Sequence, residues 1–291
     1  MPRDEPPPAP DPVFDAGPPF ILRVSGVGFS TPESVLHDPE ADVYLVANIN
    51  GGSADVDGNG FISRISPEGE ILELGWIDGA IPGVTLNAPK GMAIVADTLF
   101  VTDINCIRGF HRLTGAPVRE LCLEHATFLN DLAATPLGDL YFSDSGTGQS
   151  PGAVYFLRHT ADVPQKVVLA DGTVLEGGSL LGPNGVYADG RGLYVATYGS
   201  GELFQVTPNG ERIQLLFPSE MAIDGLVSLE ERGFLFSSWG DSTVYWIHPG
   251  GTVSPLVENV EAPADIGFDA SRNRVLIPLF RANELLLQEV R

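Results

Sequence analysis

A short unit recurs six times along this chain, and its spacing limits what the chain can fold into. The copies are PESVLHDPEADVYLVAN from Pro32, PKGMAIVADTLFVTD from Pro89, LNDLAATPLGDLYFSD from Leu129, LGPNGVYADGRGLYVAT from Leu181, IDGLVSLEERGFLFSS from Ile223 and PADIGFDASRNRVLIP from Pro263. Each reads as two short apolar runs separated by a turn and bounded by Gly or Pro, the pattern of strands buried on both faces. Aligned on the residue after the leading Pro, Leu or Ile, the copies give Glu33, Lys90, Asn130, Asn184, Asp224 and Ala264, spaced 57, 40, 54, 40 and 40 residues apart. A period near 40 with two insertions is that of a four-stranded propeller blade. One blade cannot bury both faces of its own sheet, so the units must stack around an axis. The expectation is an all-β chain, a six-bladed β-propeller whose innermost strands line a central tunnel. The aligned residues then form a ring at one tunnel mouth, and five of the six are polar.

The two ends of the chain fit this reading. The last unit has room for only three strands, ending in Asn283–Val290, while Pro19–Val27 is strand-like and precedes the first copy. Closing the ring by lending an N-terminal strand to the last blade removes an exposed sheet edge. Phe20–Val24 is therefore predicted as the outer strand of the blade that begins at Pro263. Residues 1–18, opening MPRDEPPPAPDP, read as a disordered Pro-rich tether, and residues 19–291 as a single propeller. Turns at Ser66–Gly69, Leu113–Gly115, Thr207–Gly210 and His248–Gly251 are predicted to join third and fourth strands. Their glycines supply the positive φ that tight hairpins need.

Charge excludes some partners. The 38 acidic residues outnumber 16 basic ones, for a net charge of −22, and the basic residues are scattered rather than striped. Nucleic acid is not expected. No apolar run reaches the length of a membrane span, so a small-molecule substrate is the expected partner. No apolar signal core is visible, yet a Pro-rich spacer can follow a removed signal. A periplasmic or secreted location is the expectation, with a cytoplasmic one left open. Cys106 and Cys122 are placed symmetrically about Thr114, which predicts them as direct cross-strand neighbours. They are either two thiols or a disulfide, and a disulfide would point to an oxidising compartment. The insertion Asn50–Gly60 contains Asp55, Asp57 and Asn59, like the opening of a calcium loop, but Ser66 stands where such a loop needs Glu. An acidic turn is expected there.

The ring carries the chemistry. Glu33, Asn130, Asn184 and Asp224 offer two carboxylates and two amide oxygens, a hard oxygen set suited to one divalent cation, Ca²⁺ first and Mg²⁺ or Mn²⁺ next. No His or Cys shares the ring, which argues against zinc. Each of these residues alone is a common turn residue; four at equivalent repeat positions are not explained that way.

At these motifs the sequence resembles the family of regucalcin (senescence marker protein) and the gluconolactonases. Glu33 in TPES, Asn130 in LND, Asn184 in GPNG and Asp224 in IDG match the family's metal-site motifs, and the resemblance covers nearly the whole chain after about residue 19. It implies a divalent cation in the tunnel mouth and hydrolysis of a lactone or related ester. It also implies that Asp224 doubles as ligand and general base. Two departures stand out. Where gluconolactonases place a substrate-binding Arg, this chain has Phe128, which favours a less polar ligand. The ring also carries Lys90, which would hold a substrate carboxylate, stabilise an oxyanion, or form a structural ion pair balanced by Asp131 and Asp265. Phe128, Met92, Tyr198 and Trp239 are candidates for the pocket wall, so Lys90, Phe128, Asp131, Tyr198, Trp239 and Asp265 form the candidate substrate-binding set. The competing readings are a non-catalytic propeller with a structural metal, and different chemistry at the same metal, such as phosphoester hydrolysis or isomerisation.

Overall fold

The computed structural model describes residues 18–148 and 150–291, and its strands fall into six four-stranded antiparallel sheets. An N-terminal strand β1 (Ile21–Val24) precedes the first blade, formed by β2 (Pro32–Asp38), β3 (Val43–Asn48), β4 (Phe61–Ile65) and β5 (Ile71–Asp78). The second blade is β6 (Pro89–Val95), β7 (Thr98–Asp103), β8 (Cys106–His111) and β9 (Pro117–Cys122). The third is β10 (Leu129–Ala134), β11 (Leu140–Asp144), β12 (Ala153–Leu157) and the two-residue β13 (Gln165–Lys166). The fourth is β14 (Pro183–Asp189), β15 (Gly192–Thr197), β16 (Leu203–Val206) and β17 (Arg212–Leu216). The fifth is β18 (Ile223–Ser228), β19 (Phe234–Ser238), β20 (Thr243–Ile247) and β21 (Val253–Glu258). The sixth holds β22 (Gly267–Asp269), β23 (Arg274–Leu279) and β24 (Glu284–Glu289), with β1 as its fourth strand.

The first five blades begin within two residues of a repeat, as the period requires, and the inner strand of the sixth begins at Gly267, shortly after Pro263. The inner strands β2, β6, β10, β14, β18 and β22 touch in cyclic order, and β22 returns to β2. Apolar side chains from facing blades fill the spaces between sheets; Leu45, Ile62, Leu99, Val101 and Phe110, from the first two blades, form one such cluster. The four predicted hairpins join third and fourth strands, with Gly69, Gly115, Gly210 and Gly250 all at positive φ.

Closure follows the prediction, with the strand starting at Ile21 rather than Phe20. Ile21 pairs with Gln288 and Val24 with Leu285 in antiparallel register. The seam between the sixth and first blades is polar as well as apolar. The buried Tyr44 hydroxyl donates to Asp269 Oδ2 at 2.7 Å, and Ser34 Oγ donates to Asp265 Oδ2 at 2.6 Å. Arg272 bridges Asp42 at 2.7 Å and Asp269 at 3.1 Å. Asp265 N–H donates to the Glu33 carbonyl at 2.8 Å, fixing the last blade directly to a ring residue.

Cys106 and Cys122 are paired across β8 and β9 and joined by a disulfide, with Cα atoms 4.0 Å apart. The Asn50–Gly60 insertion is an internally bonded acidic turn. Asp55 accepts from Gly52 N–H, Asp57 accepts from Asn59, and Asn50 Nδ2 donates to the Asn59 carbonyl. The expected Pro-rich tether lies outside the described residues apart from Pro18.

Two measurements check this architecture. Burial raises the Asp269 carboxyl pKa, but hydrogen bonds from Ser271 and Tyr44, the His37 charge and Arg272 outweigh it and pull it down to about 2. A depressed pKa adds stability above the unfolded carboxyl value of about 3.9, and that stability is lost as pH falls toward about 2. Asp269→Asn should therefore flatten the fall of Tm between about pH 4 and 2 relative to the native chain; equal slopes would show that the seam is not held this way. The disulfide closes a loop between residues 16 apart in sequence, so replacing both cysteines by Ser should lower unfolding free energy by about 3 kcal/mol in chemical denaturation.

Candidate active site at the tunnel mouth

One local device sets the ring. In the first five blades the register of the inner strand against its neighbour slips at the ring position, between Pro32 and Ser34, Pro89 and Met92, Leu129 and Leu132, Pro183 and Val186, and Ile223 and Leu226. Such a bulge releases a side chain from the strand's strict alternation and re-aims it. The next residue must then let a neighbouring blade come close. A Cβ on Gly185 would lie 2.4 Å from the Asp224 carbonyl oxygen, and one on Gly225 would lie 2.4 Å from Ile266 N, so a side chain at either would force the inner strands apart.

Blade-to-blade hydrogen bonds fix the ring residues' backbones. Thr102 Oγ1 donates to the Asn130 carbonyl at 2.5 Å, Ser143 Oγ to the Asn184 carbonyl at 2.6 Å, and Ser237 Oγ to the Ala264 carbonyl at 2.8 Å. Each hydroxyl sits one residue from the end of a second strand. The residue after it fastens the approach loop. Asp103 accepts from Asn87 and Ala88 N–H, and Asp144 from Thr127 and Phe128 N–H. These positioning residues escaped the sequence reading. Their signal is the recurring strand end VTD, FSD and FSS.

Glu33, Asn130, Asn184 and Asp224 all line one cavity of about 500 Å³, walled by Phe128, Tyr198, Trp239 and Phe280. Asn130 Nδ2 donates to Ser145 Oγ at 3.1 Å, and Ser145 Oγ donates on to the Pro183 carbonyl at 2.7 Å. Asn184 Oδ1 and Asp224 Oδ1 are buried and make no hydrogen bond. An unpartnered buried oxygen is costly, and two sharing one cavity mark a place for a ligand. The Trp239 indole N–H faces Asp224 and favours its ionised form, without a hydrogen bond of standard geometry.

Asp131 and Asp265 lie one residue past the ring and line a second cavity of about 510 Å³, together with Met92 and His37. Met92 is thus a core residue of the tunnel and not a wall of the mouth cavity. Asp131 accepts from Val186 N–H at 2.7 Å and from Leu132 N–H at 2.6 Å, tying the third blade to the fourth. Among the described residues no three His, Cys, Asp or Glu side chains are grouped to hold a metal; the ring set reaches four only by counting its amides.

The ring and the layer below it hold four buried carboxylates, Glu33, Asp131, Asp224 and Asp265, against one buried ammonium, Lys90. Burial pushes Glu33 up to about 8, with Lys90 opposing and Asp265 adding to the shift. Burial also raises Asp224 well above the usual carboxylate range, reinforced by Glu33, Asp265 and Asp131. It raises Asp131 similarly and takes Asp265 to about 7. Lys90 is pushed down to about 8 by burial, with Glu33 and then Asp103 holding its charge. Glu33 and Asp103 are the carboxylates that act on it most strongly. Its ammonium donates to the Ala88 carbonyl at 2.9 Å and lies 4.5 Å from the centre of the Phe128 ring. Lys90 is fully buried and does not line the cavity; Phe128 does.

If Lys90 balances Glu33 through space, the two substitutions must not add. Lys90→Met alone should destabilise the chain, and Glu33→Gln should recover part of that loss. A coupling energy of about 0.5–3 kcal/mol in a double-mutant cycle is expected, whereas strict additivity would remove Lys90 from the charge balance.

No family model and no curated protein matches the chain in sequence. Solved structures match it in shape. A gluconolactonase from Xanthomonas campestris is 15% identical, with a TM-score of 0.66 over 94% of this chain and 91% of that one. A putative gluconolactonase is 16% identical, with a TM-score of 0.63 over 95% and 93%. Virginiamycin B lyase from Staphylococcus aureus is 13% identical, with a TM-score of 0.62 over 94% of this chain and all of that one. What this chain shares with the gluconolactonases and the streptogramin B lyases is the propeller fold, built here from six blades.

Proposed function

We propose that this chain is a divalent-cation-dependent hydrolase that opens a lactone or related ester in the cavity at the tunnel mouth. The observation that carries the reading is the convergence of Glu33, Asn130, Asn184 and Asp224 on one cavity, where Asn184 Oδ1 and Asp224 Oδ1 are buried without a hydrogen bond. The donor set fits a hard cation. Burial holds these carboxylates toward their neutral forms, a divalent ion would favour their ionisation, and Ca²⁺ accepts mixed carboxylate and amide ligands with water completing its shell. Bound there, the cation would polarise a carbonyl and stabilise developing negative charge.

The protein's own groups supply positioning and proton transfer. Ser145 orients the Asn130 amide, leaving its oxygen for the cavity. Asp224 Oδ1 takes a proton from water as the water oxygen adds to the substrate carbonyl carbon. When the ring C–O bond breaks, the same proton passes to the alkoxide, giving the hydroxy acid. A carboxylate within reach of the attacking water can act as its general base. Lys90, shielded by Phe128, holds the charge balance beneath the reaction.

In the Staphylococcus aureus lyase a His→Ala variant is catalytically inactive, whereas among the described residues no histidine lines the mouth cavity here; this favours hydrolysis over a histidine-dependent elimination. The Cys106–Cys122 disulfide supports a periplasmic or secreted location.

Millimolar Ca²⁺ should raise Tm, because a ligand that binds only the native state stabilises it. Asp224→Asn should reduce that shift and lower lactone hydrolysis by about 10²–10⁴-fold, with metal content measured beside the rate. Unchanged Tm in Ca²⁺, or full activity after chelation, would overturn the proposal.

A further inference from the structure

The walls above the ring are aromatic, and the cations near them sit behind the rings. Tyr198, Trp239 and Phe280 form one continuous wall. The Tyr198 and Trp239 centroids are 5.9 Å apart and edge-on, and those of Trp239 and Phe280 are 5.3 Å apart. The Arg281 guanidinium lies 5.6 Å from the Trp239 ring centre and pairs with Glu261 at 3.1 Å. Phe128 lines the cavity with Lys90 stacked against it. Among the described residues no Lys or Arg lines the cavity itself.

The wall is held before any ligand arrives. Each of its three residues directly follows a second strand, and each is fixed by its backbone: Tyr198 N–H to the Gly182 carbonyl at 2.8 Å, Trp239 to Ala222 at 3.1 Å, and Phe280 to Ala262 at 3.2 Å. A preorganised apolar face costs little ordering when it binds. Hydroxyls and amides line the cavity at Ser53, Ser145, Thr147 and Asn184, but the Tyr198–Trp239–Phe280 side offers flat rings, on which an aromatic group would stack and a charged or polyhydroxylated one would not.

We propose that the substrate is a neutral lactone or ester bearing an aromatic or comparably bulky apolar group, held against the Tyr198–Trp239–Phe280 wall. This rests on the hydrolase reading and specifies its substrate class. A cavity of about 500 Å³ has room for such a molecule.

Two matched pairs test it in millimolar Ca²⁺. The lactams 3,4-dihydroquinolin-2-one and 2-piperidone differ by a fused benzene ring and report binding without turnover. The lactones dihydrocoumarin and δ-valerolactone report hydrolysis. By calorimetry the benzo-fused lactam should bind about ten-fold tighter than 2-piperidone. Phe280→Leu should narrow that preference by about three-fold while leaving Tm unchanged. Equal binding of the two lactams, or a preference untouched by Phe280→Leu, would overturn the inference even if both lactones are hydrolysed. Selective lactam binding that narrows in Phe280→Leu, with neither lactone hydrolysed, would uphold the aromatic site and fail the hydrolase reading instead.

Discussion

An antiparallel sheet with two apolar faces cannot stand alone in water, and that constraint builds this molecule. Each blade needs a neighbour on both sides, so the sheets close into a ring, and no blade is free of the closure between the sixth and the first. That seam combines β1 added to β24, the buried Tyr44–Asp269 hydrogen bond and the backbone link from Asp265 to Glu33. The last link matters for chemistry as well as stability. The blade interface that closes the fold also fixes one of the four ring residues.

Closure brings six inner strands to one axis, where space is scarce. Glycines 185 and 225 permit the approach, and the bulges re-aim the ring residues. The same crowding concentrates carboxylates. Burial would drive them to their neutral forms, and among the described residues Lys90 is the one buried ammonium beside them. Under the proposed function, a cation bound at the tunnel mouth would balance these carboxylates and serve the chemistry together.

Much of this was legible in the sequence. The 40-residue period located every blade, the three-stranded last unit called for β1, and the placement of Cys106 and Cys122 about Thr114 made them neighbours. The polar ring residues were found by alignment alone, since a repeat puts equivalent positions at equivalent places on the axis. Phe280 was missed, although it follows Trp239 at the interval by which Trp239 follows Tyr198, at positions 198, 239 and 280. The hydroxyls of Thr102, Ser143 and Ser237 were missed because their acceptors lie on the next blade.

The sequence by itself determined the repeat, the strands and which residues reach the axis, because these follow from local periodicity. Only the tertiary structure decided what those residues meet there. Lys90 and Phe128 lie 38 positions apart, and only packing of the second blade against the third stacks the ammonium on the ring. Asp131 carries a carboxylate beside the ring, but its hydrogen bonds to Leu132 and Val186 turn it toward the tunnel interior. Period fixes position along the chain; the direction a side chain takes at a bulge, and the charge it then faces, depend on neighbours contributed by other blades.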